Sequence, residues 1–134
     1  MVRTGRDGPL TALQIAVLRV FWARGAATVP EVHDALHAER ELAPTTVATL
    51  VTRLWRRGLL RRAGPRPYRY EATRTEAELQ REGIDELAQR VFAGDRAALL
   101  DQLLRQEAST PAELRALRRL IERRERELEE ESDV

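Results

Sequence analysis

The sequence predicts a mainly α-helical chain in two parts: three helices closed by a β-hairpin, then a wholly helical region. Three observations carry that expectation. Apolar residues recur at helical spacing along most of the 134 residues, and strand-like alternation replaces it only around residues 59–72. Thr or Asp stands at the expected cap position ahead of most helical runs. The charge is split, with 13 Arg against 6 acids in residues 1–75 and 10 Arg against 16 acids in residues 76–134, so a net +1 conceals +7 and −6.

The first helix is expected over Leu10–Trp22. Thr11 and Gln14 have capping-box spacing, Leu10 and Ile15 stand as its hydrophobic staple, and Leu13, Val17, Leu18 and Phe21 form one buried face before Gly25. A second box, Thr28 with Glu31, opens a short helix to about Ala38 that buries Val32 and Leu36. Pro44 suits the first turn of a third helix. Its inner face is Val47, Leu50, Val51 and Leu54, with Trp55 at the edge, and Gly58 follows it. Leu59–Ala63 and Pro67–Ala72 then read as strands joined by Gly64-Pro65-Arg66, with Tyr68 and Tyr70 on one face and Arg69 on the other. Three helices and a basic hairpin make a winged helix-turn-helix, the hairpin being the wing.

The remainder reads as helix. Thr75 and Glu78 cap a run to Phe92, Asp95 caps a shorter one, and Thr110-Pro-Ala-Glu113 opens the last. About 55 residues in three thin amphipathic helices bury too little surface to stand alone, so their apolar stripes call for a partner. An identical chain is the commonest one. The expected dimer residues are Leu87, Val91, Leu99, Leu100, Leu103, Leu104, Leu114, Leu117 and Ile121. The expected organisation is a flexible arm (1–9), a winged-helix domain (10–74), a helical dimerisation domain (75–122) and a charged, frayed tail (123–134).

Composition narrows the function. Cysteine is absent, which removes disulfides, thiolate metal sites and cysteine nucleophiles. Residues 1–8 lack the apolar stretch of a signal peptide and no run is long enough to span a membrane, so a cytoplasmic chain is expected. Segment 42–70 carries Arg at positions 53, 56, 57, 61, 62, 66 and 69 and no acid. A merely solvated surface mixes signs, so this one is read as facing a polyanion. Thr45, Thr46, Thr49 and Thr52 let a helix backbone approach base edges, Arg53 and Arg56 reach bases or phosphates, and Arg61, Arg62, Arg66 and Arg69 on the hairpin hold the backbone or adjacent minor groove.

Other chemistry is thin. His33 and His37 have the i, i+4 spacing of metal ligands, but no Cys and no third His completes a set, and paired surface histidines are far commoner. No nucleophile–base constellation or phosphate-cradling loop occurs, so neither an enzyme nor a cofactor is expected. A ligand- or metal-gated regulator and a protein-binding assembly module are the alternatives to a DNA-binding repressor, since the fold alone does not fix the partner.

The segments LTALQIAVLRVFW, TVPEVHDAL, APTTVATLVTRLWRRGLL, RPYRYEA and QRVFAGD, in that order between Leu10 and Leu120, resemble the penicillinase-repressor (BlaI/MecI/CopY) family of bacterial transcriptional repressors. The most specific pieces are Thr46-x-x-Thr49-Leu50-x-x-Arg53-Leu54-x-x-x-Gly58, the wing residues Arg66, Tyr68 and Tyr70, and Arg90-Val91-Phe92-x-Gly94. The resemblance implies a homodimer on a pseudo-palindromic operator, often an inverted repeat containing TACA/TGTA, in an antibiotic or cell-wall stress response. It also implies that Thr46, Thr49 and Arg53 belong to the recognition helix and Arg66 to the wing. Three features depart from the family, the first being Ala43 in place of a capping Ser before Pro44. The Cys-rich metal hook of its copper-responsive branch is missing. The Asn-Phe bond cleaved through a sensor-protease pathway in its antibiotic-responsive branch corresponds to Gln102-Leu103.

Overall fold

Helix starts in the first half are fixed by the side chains that the sequence places there. In the computed structural model, which describes residues 8–107 and 109–133, α1 spans Ala12–Arg24, α2 Val29–His37 and α3 Pro44–Arg56. The Thr11 hydroxyl accepts from the Gln14 N–H (3.1 Å) while the Gln14 side chain accepts from the Thr11 N–H (2.9 Å), and Thr28 and Glu31 repeat the exchange ahead of α2. Ala43 offers α3 no side-chain cap, and Pro44 starts it instead. Gly25 ends α1 at φ 84°, a conformation that favours glycine, and turns the chain toward α2.

The hairpin pairs β1 (Leu60–Ala63) with β2 (Arg69–Ala72) antiparallel, matching Leu60 to Ala72, Arg61 to Glu71, Arg62 to Tyr70 and Ala63 to Arg69. An isolated bridge that the sequence did not signal extends it. Ala27 exchanges both backbone hydrogen bonds with Tyr70, at 3.0 and 2.8 Å, and so ties the link between α1 and α2 to the wing. Val17, Leu18, Phe21, Val32, Leu36, Val47, Leu50, Val51, Leu54, Leu59, Leu60 and Tyr70 form the core, and Trp22 and Trp55 pack partly buried against it.

The chain divides into two units between Ile84 and Asp85, inside α4 (Glu76–Phe92) rather than ahead of it at residues 74/75. The opening turns of α4 are tied to the winged-helix part. Leu79 packs on its core, the Trp22 indole donates to the Arg74 carbonyl (2.9 Å), and Arg19 approaches Glu76 (3.8 Å). Arg74 in turn binds Glu78 (3.2 Å) and Glu82 of α4. None of these ties is visible in hydrophobic periodicity.

In the second unit, α5 spans Arg96–Leu104 with Asp95 accepting from the Ala98 N–H (3.0 Å), and α6 spans Pro111–Ser132 with Thr110 accepting from the Glu113 N–H (3.1 Å). The expected fraying from residue 123 is not what the structure shows, because α6 continues to Ser132. Arg, Glu and Leu are good helix formers, no Gly or Pro interrupts them, and Arg124 lies 3.1 Å from Glu127 and Arg123 3.9 Å from the same carboxylate. Val134 lies outside the described residues, as do residues 1–7 of the expected arm. Gly8, the next residue of that arm, accepts a hydrogen bond from Arg57 (2.9 Å).

Candidate nucleic-acid interface

The buried and exposed sides of α3 separate cleanly. Val47, Leu50, Val51 and Leu54 face the core, while Thr45, Thr46, Thr49, Arg53 and Arg56 are exposed and Thr52 is half-buried. The Thr49 hydroxyl donates to the Thr45 carbonyl (3.0 Å), which leaves its oxygen lone pairs as acceptors at the surface. Among the described residues neither Arg53 nor Arg56 makes an ion pair, so both guanidinium groups are free to meet a new anion. The face therefore offers hydroxyls, methyls and positive charge without a carboxylate, which is a suitable set for a major groove.

The hairpin arginines are not equivalent. Arg61 is paired across the strands with Glu71, Nε to Oε1 at 2.6 Å. Arg69 lies on the same face of the hairpin as Arg61, away from the tyrosines, where it donates to the Ala26 carbonyl (3.0 Å) and meets Glu31 (3.2 Å), tying β2 to the start of α2. Arg62 lies 3.6 Å from the Trp55 ring centroid and 4.3 Å from that of Tyr68, and donates to the Tyr70 hydroxyl (3.2 Å). Arg66, beside the turn, donates through Nε to the Tyr68 hydroxyl (3.2 Å). That hydrogen bond and the charge of Arg66, with a contribution from Arg62, hold the Tyr68 phenol below its ordinary pKa. The same hydrogen bond keeps Arg66 more firmly protonated. The alternation in sequence places Tyr68 and Tyr70 together, and their rings stand 6.4 Å apart edge to face, but it puts Trp55 only at the edge of the α3 inner face and gives it no partner on the hairpin. Only the pairing of Arg62 with Tyr70 across the hairpin brings Arg62 onto the α3 tryptophan.

The remaining sequence candidates are distributed as follows. His33 Nε2 is 2.8 Å from the Leu42 carbonyl, and the His33 and His37 rings are 5.8 Å apart. Among the described residues no group of three or more His, Cys, Asp or Glu is assembled to hold a metal, and no helix is long and apolar enough to cross a membrane. Of the dimer candidates, Leu99, Leu104 and Leu117 are half-buried, while Leu87, Val91, Leu100, Leu103, Leu114 and Ile121 are exposed, Val91 at 61% and Leu103 at 56%. Ile84, Leu120 and Leu128 are exposed as well and were not among the expected set. Gln102 and Leu103 both lie on the exposed surface of α5.

The chain matches the penicillinase repressor family over residues 10–123. It is 37% identical over 112 residues to the transcriptional regulator BlaI of Mycobacterium tuberculosis, covering 81% of this chain and 80% of that protein. It is 19% identical over 116 residues to the methicillin resistance regulatory protein MecI of Mammaliicoccus sciuri, covering 86% and 94% respectively. Among solved structures, a MarR family protein from Bacillus stearothermophilus overlays with a TM-score of 0.49 at 22% identity, covering 92% of this chain and 78% of that one.

Proposed function

The chain belongs to the penicillinase-repressor family, and from that premise we propose that it represses transcription as a homodimer seated on a pseudo-palindromic operator. Membership makes it a DNA-binding transcriptional repressor and not an enzyme; the dimer, the operator and the residues that read it are our reading. The observation that carries it is the exposed, acid-free face of α3. In this reading α3 enters the major groove, with Thr45, Thr46, Thr49 and Thr52 against base edges and Arg53 and Arg56 at bases or phosphates. Arg66, beside the hairpin turn, reaches the DNA backbone.

The second copy is supported by the apolar side chains that the second unit leaves in water, Val91, Leu103 and Ile121 among them. Joining two half-sites raises affinity because the second α3 binds at the effective concentration set by the first. An antibiotic or cell-wall stress response in the cytoplasm is the setting we assign. Release by a sensor-protease pathway would need α5 to open locally, since Gln102-Leu103 lies within that helix and a protease acts on extended chain.

Fluorescence anisotropy with a labelled duplex carrying an inverted TACA/TGTA repeat, and with a scrambled duplex of equal composition, tests the reading. The repeat should bind tighter, with an affinity that falls steeply with salt. Equal binding to both duplexes rules out operator recognition of this type, and no salt-sensitive binding to either rules out the DNA-facing role of α3.

A further inference from the structure

Arg62 belongs to the basic wing by sequence, yet its guanidinium is surrounded by rings from two different elements. Trp55 comes from α3, at 3.6 Å; Tyr68 and Tyr70 come from the returning arm of the hairpin, at 4.3 and 5.8 Å. Its Nε–H is directed to the Tyr70 hydroxyl (3.2 Å). A planar cation stacks well on such faces, whereas an ammonium does so less well and cannot present the same fork. Tyr68 then receives a second arginine: Arg66 lies 5.3 Å from its ring centroid and donates to its hydroxyl (3.2 Å). The contacts run without a gap from Trp55 through Arg62 and Tyr68 to Arg66, that is, from α3 to the residue beside the hairpin turn.

We propose that Arg62 is a positioning residue which fixes the wing arginine Arg66 relative to α3 through Trp55 and Tyr68, and is not itself a phosphate contact. The inference rests on the DNA-binding reading above and deepens it. A hairpin of two four-residue strands is marginal by itself. The register of the wing against the DNA therefore depends on what clamps it to the helix, and the aromatic stack is such a clamp. Arg66 is then the residue that meets the DNA backbone, with Tyr68 holding its side chain in place.

A double-mutant cycle on the repeat-bearing duplex tests this, with affinity measured over a range of salt. Arg62→Met and Arg66→Met should each weaken binding, roughly tenfold, and flatten the salt dependence. The double variant should be no weaker and no flatter than Arg66→Met alone. Arg62→Lys, which keeps the charge and loses the stack, should behave like Arg62→Met. Additive losses, or an Arg62→Lys protein that binds like the wild type, would make Arg62 an ordinary phosphate contact and overturn the proposal.

A measurement without DNA separates failure of this inference from failure of the DNA-binding reading. Tyr68 and Tyr70 are the two tyrosines of the chain, so ultraviolet titration of phenolate follows them directly. Releasing Arg66 from Tyr68 should raise the Tyr68 transition in Arg62→Lys, which keeps a charge at position 62, and at least as much in Arg62→Met, which loses that charge as well. An unchanged titration in Arg62→Lys overturns the clamp even if the wild type binds the repeat. A wild type that binds no DNA removes the premise, and with it the role assigned to Arg66, whatever the titration shows.

Discussion

Arg69 of β2 and Glu31 of α2 meet at 3.2 Å, and this contact joins the wing to the start of a helix. The same carboxylate accepts from the Thr28 N–H (2.9 Å) and from Arg24 at the end of α1 (2.9 Å). Three segments of the first unit thus converge on one side chain. The hydrogen bonds from Thr28, with the charges of Arg69 and Arg24, hold the Glu31 carboxyl below the ordinary glutamate pKa.

A depressed carboxylate pKa contributes stability that is present above the unfolded-state value and lost as pH falls through the folded-state value. The melting temperature should therefore drop between neutral and acid pH, and Glu31→Gln should show a smaller drop than the wild type. Glutamine can still accept from the Thr28 N–H, so the cap is retained while the charge is lost. Glu78 is depressed in the same way by Thr75 and Arg74, so part of the acid dependence remains in the variant. Parallel wild-type and variant curves, measured by circular dichroism, would remove Glu31 from the acid response.

Leu54 is completely buried beneath the face assigned to DNA. Leu54→Ala leaves a cavity where α3 rests on the core and should cost about 2–5 kcal/mol. Urea unfolding gives the number directly. A loss below about 1 kcal/mol would mean that the core closes over the cavity, since the price of such truncations depends on local relaxation.

The contrast between Thr28 and Arg69 explains which features could be read in advance. The boxes at Thr11, Thr28 and Thr75 and the inner face of α3 involve residues within a turn or two of one another, so spacing alone specifies them. Arg69 reaches Glu31 and Arg62 reaches Trp55 only because the hairpin folds back in one register, and a list of basic residues makes the wing arginines look alike. The boundary inside α4 was hidden for the same reason, since Arg74, Glu78 and Glu82 secure the beginning of that helix through side chains that look merely charged in sequence. The helix through residues 123–132 is hidden from hydrophobic periodicity because apolar residues are scarce there, although Arg and Glu sustain a helix without them.

Arg53 should separate base reading from phosphate binding. It is exposed on α3 and makes no ion pair among the described residues, so its removal leaves no protein group newly unpaired. Arg53→Ala should weaken binding to the inverted repeat by about 1–3 kcal/mol and to the scrambled duplex by less. Anisotropy at fixed salt decides the matter. Equal losses on the two duplexes would assign Arg53 to the backbone and leave sequence reading to the threonines.

Val91 of α4 and Leu103 of α5 are more than half exposed in the single chain, so a charge placed on either does not enter a core of that chain. In a dimer covered by these faces the same charge would be buried without a partner, at a cost of several kcal/mol per subunit. Val91→Glu combined with Leu103→Glu should therefore give a folded monomer, seen as a halved mass in sedimentation and an unchanged helical spectrum. Its affinity for the inverted repeat should fall far more than its affinity for a single half-site, because only the former depends on two linked α3 helices. A variant that stays dimeric would place the interface elsewhere. A monomer that binds the full repeat as tightly as the wild type would show that the two half-sites are not engaged together.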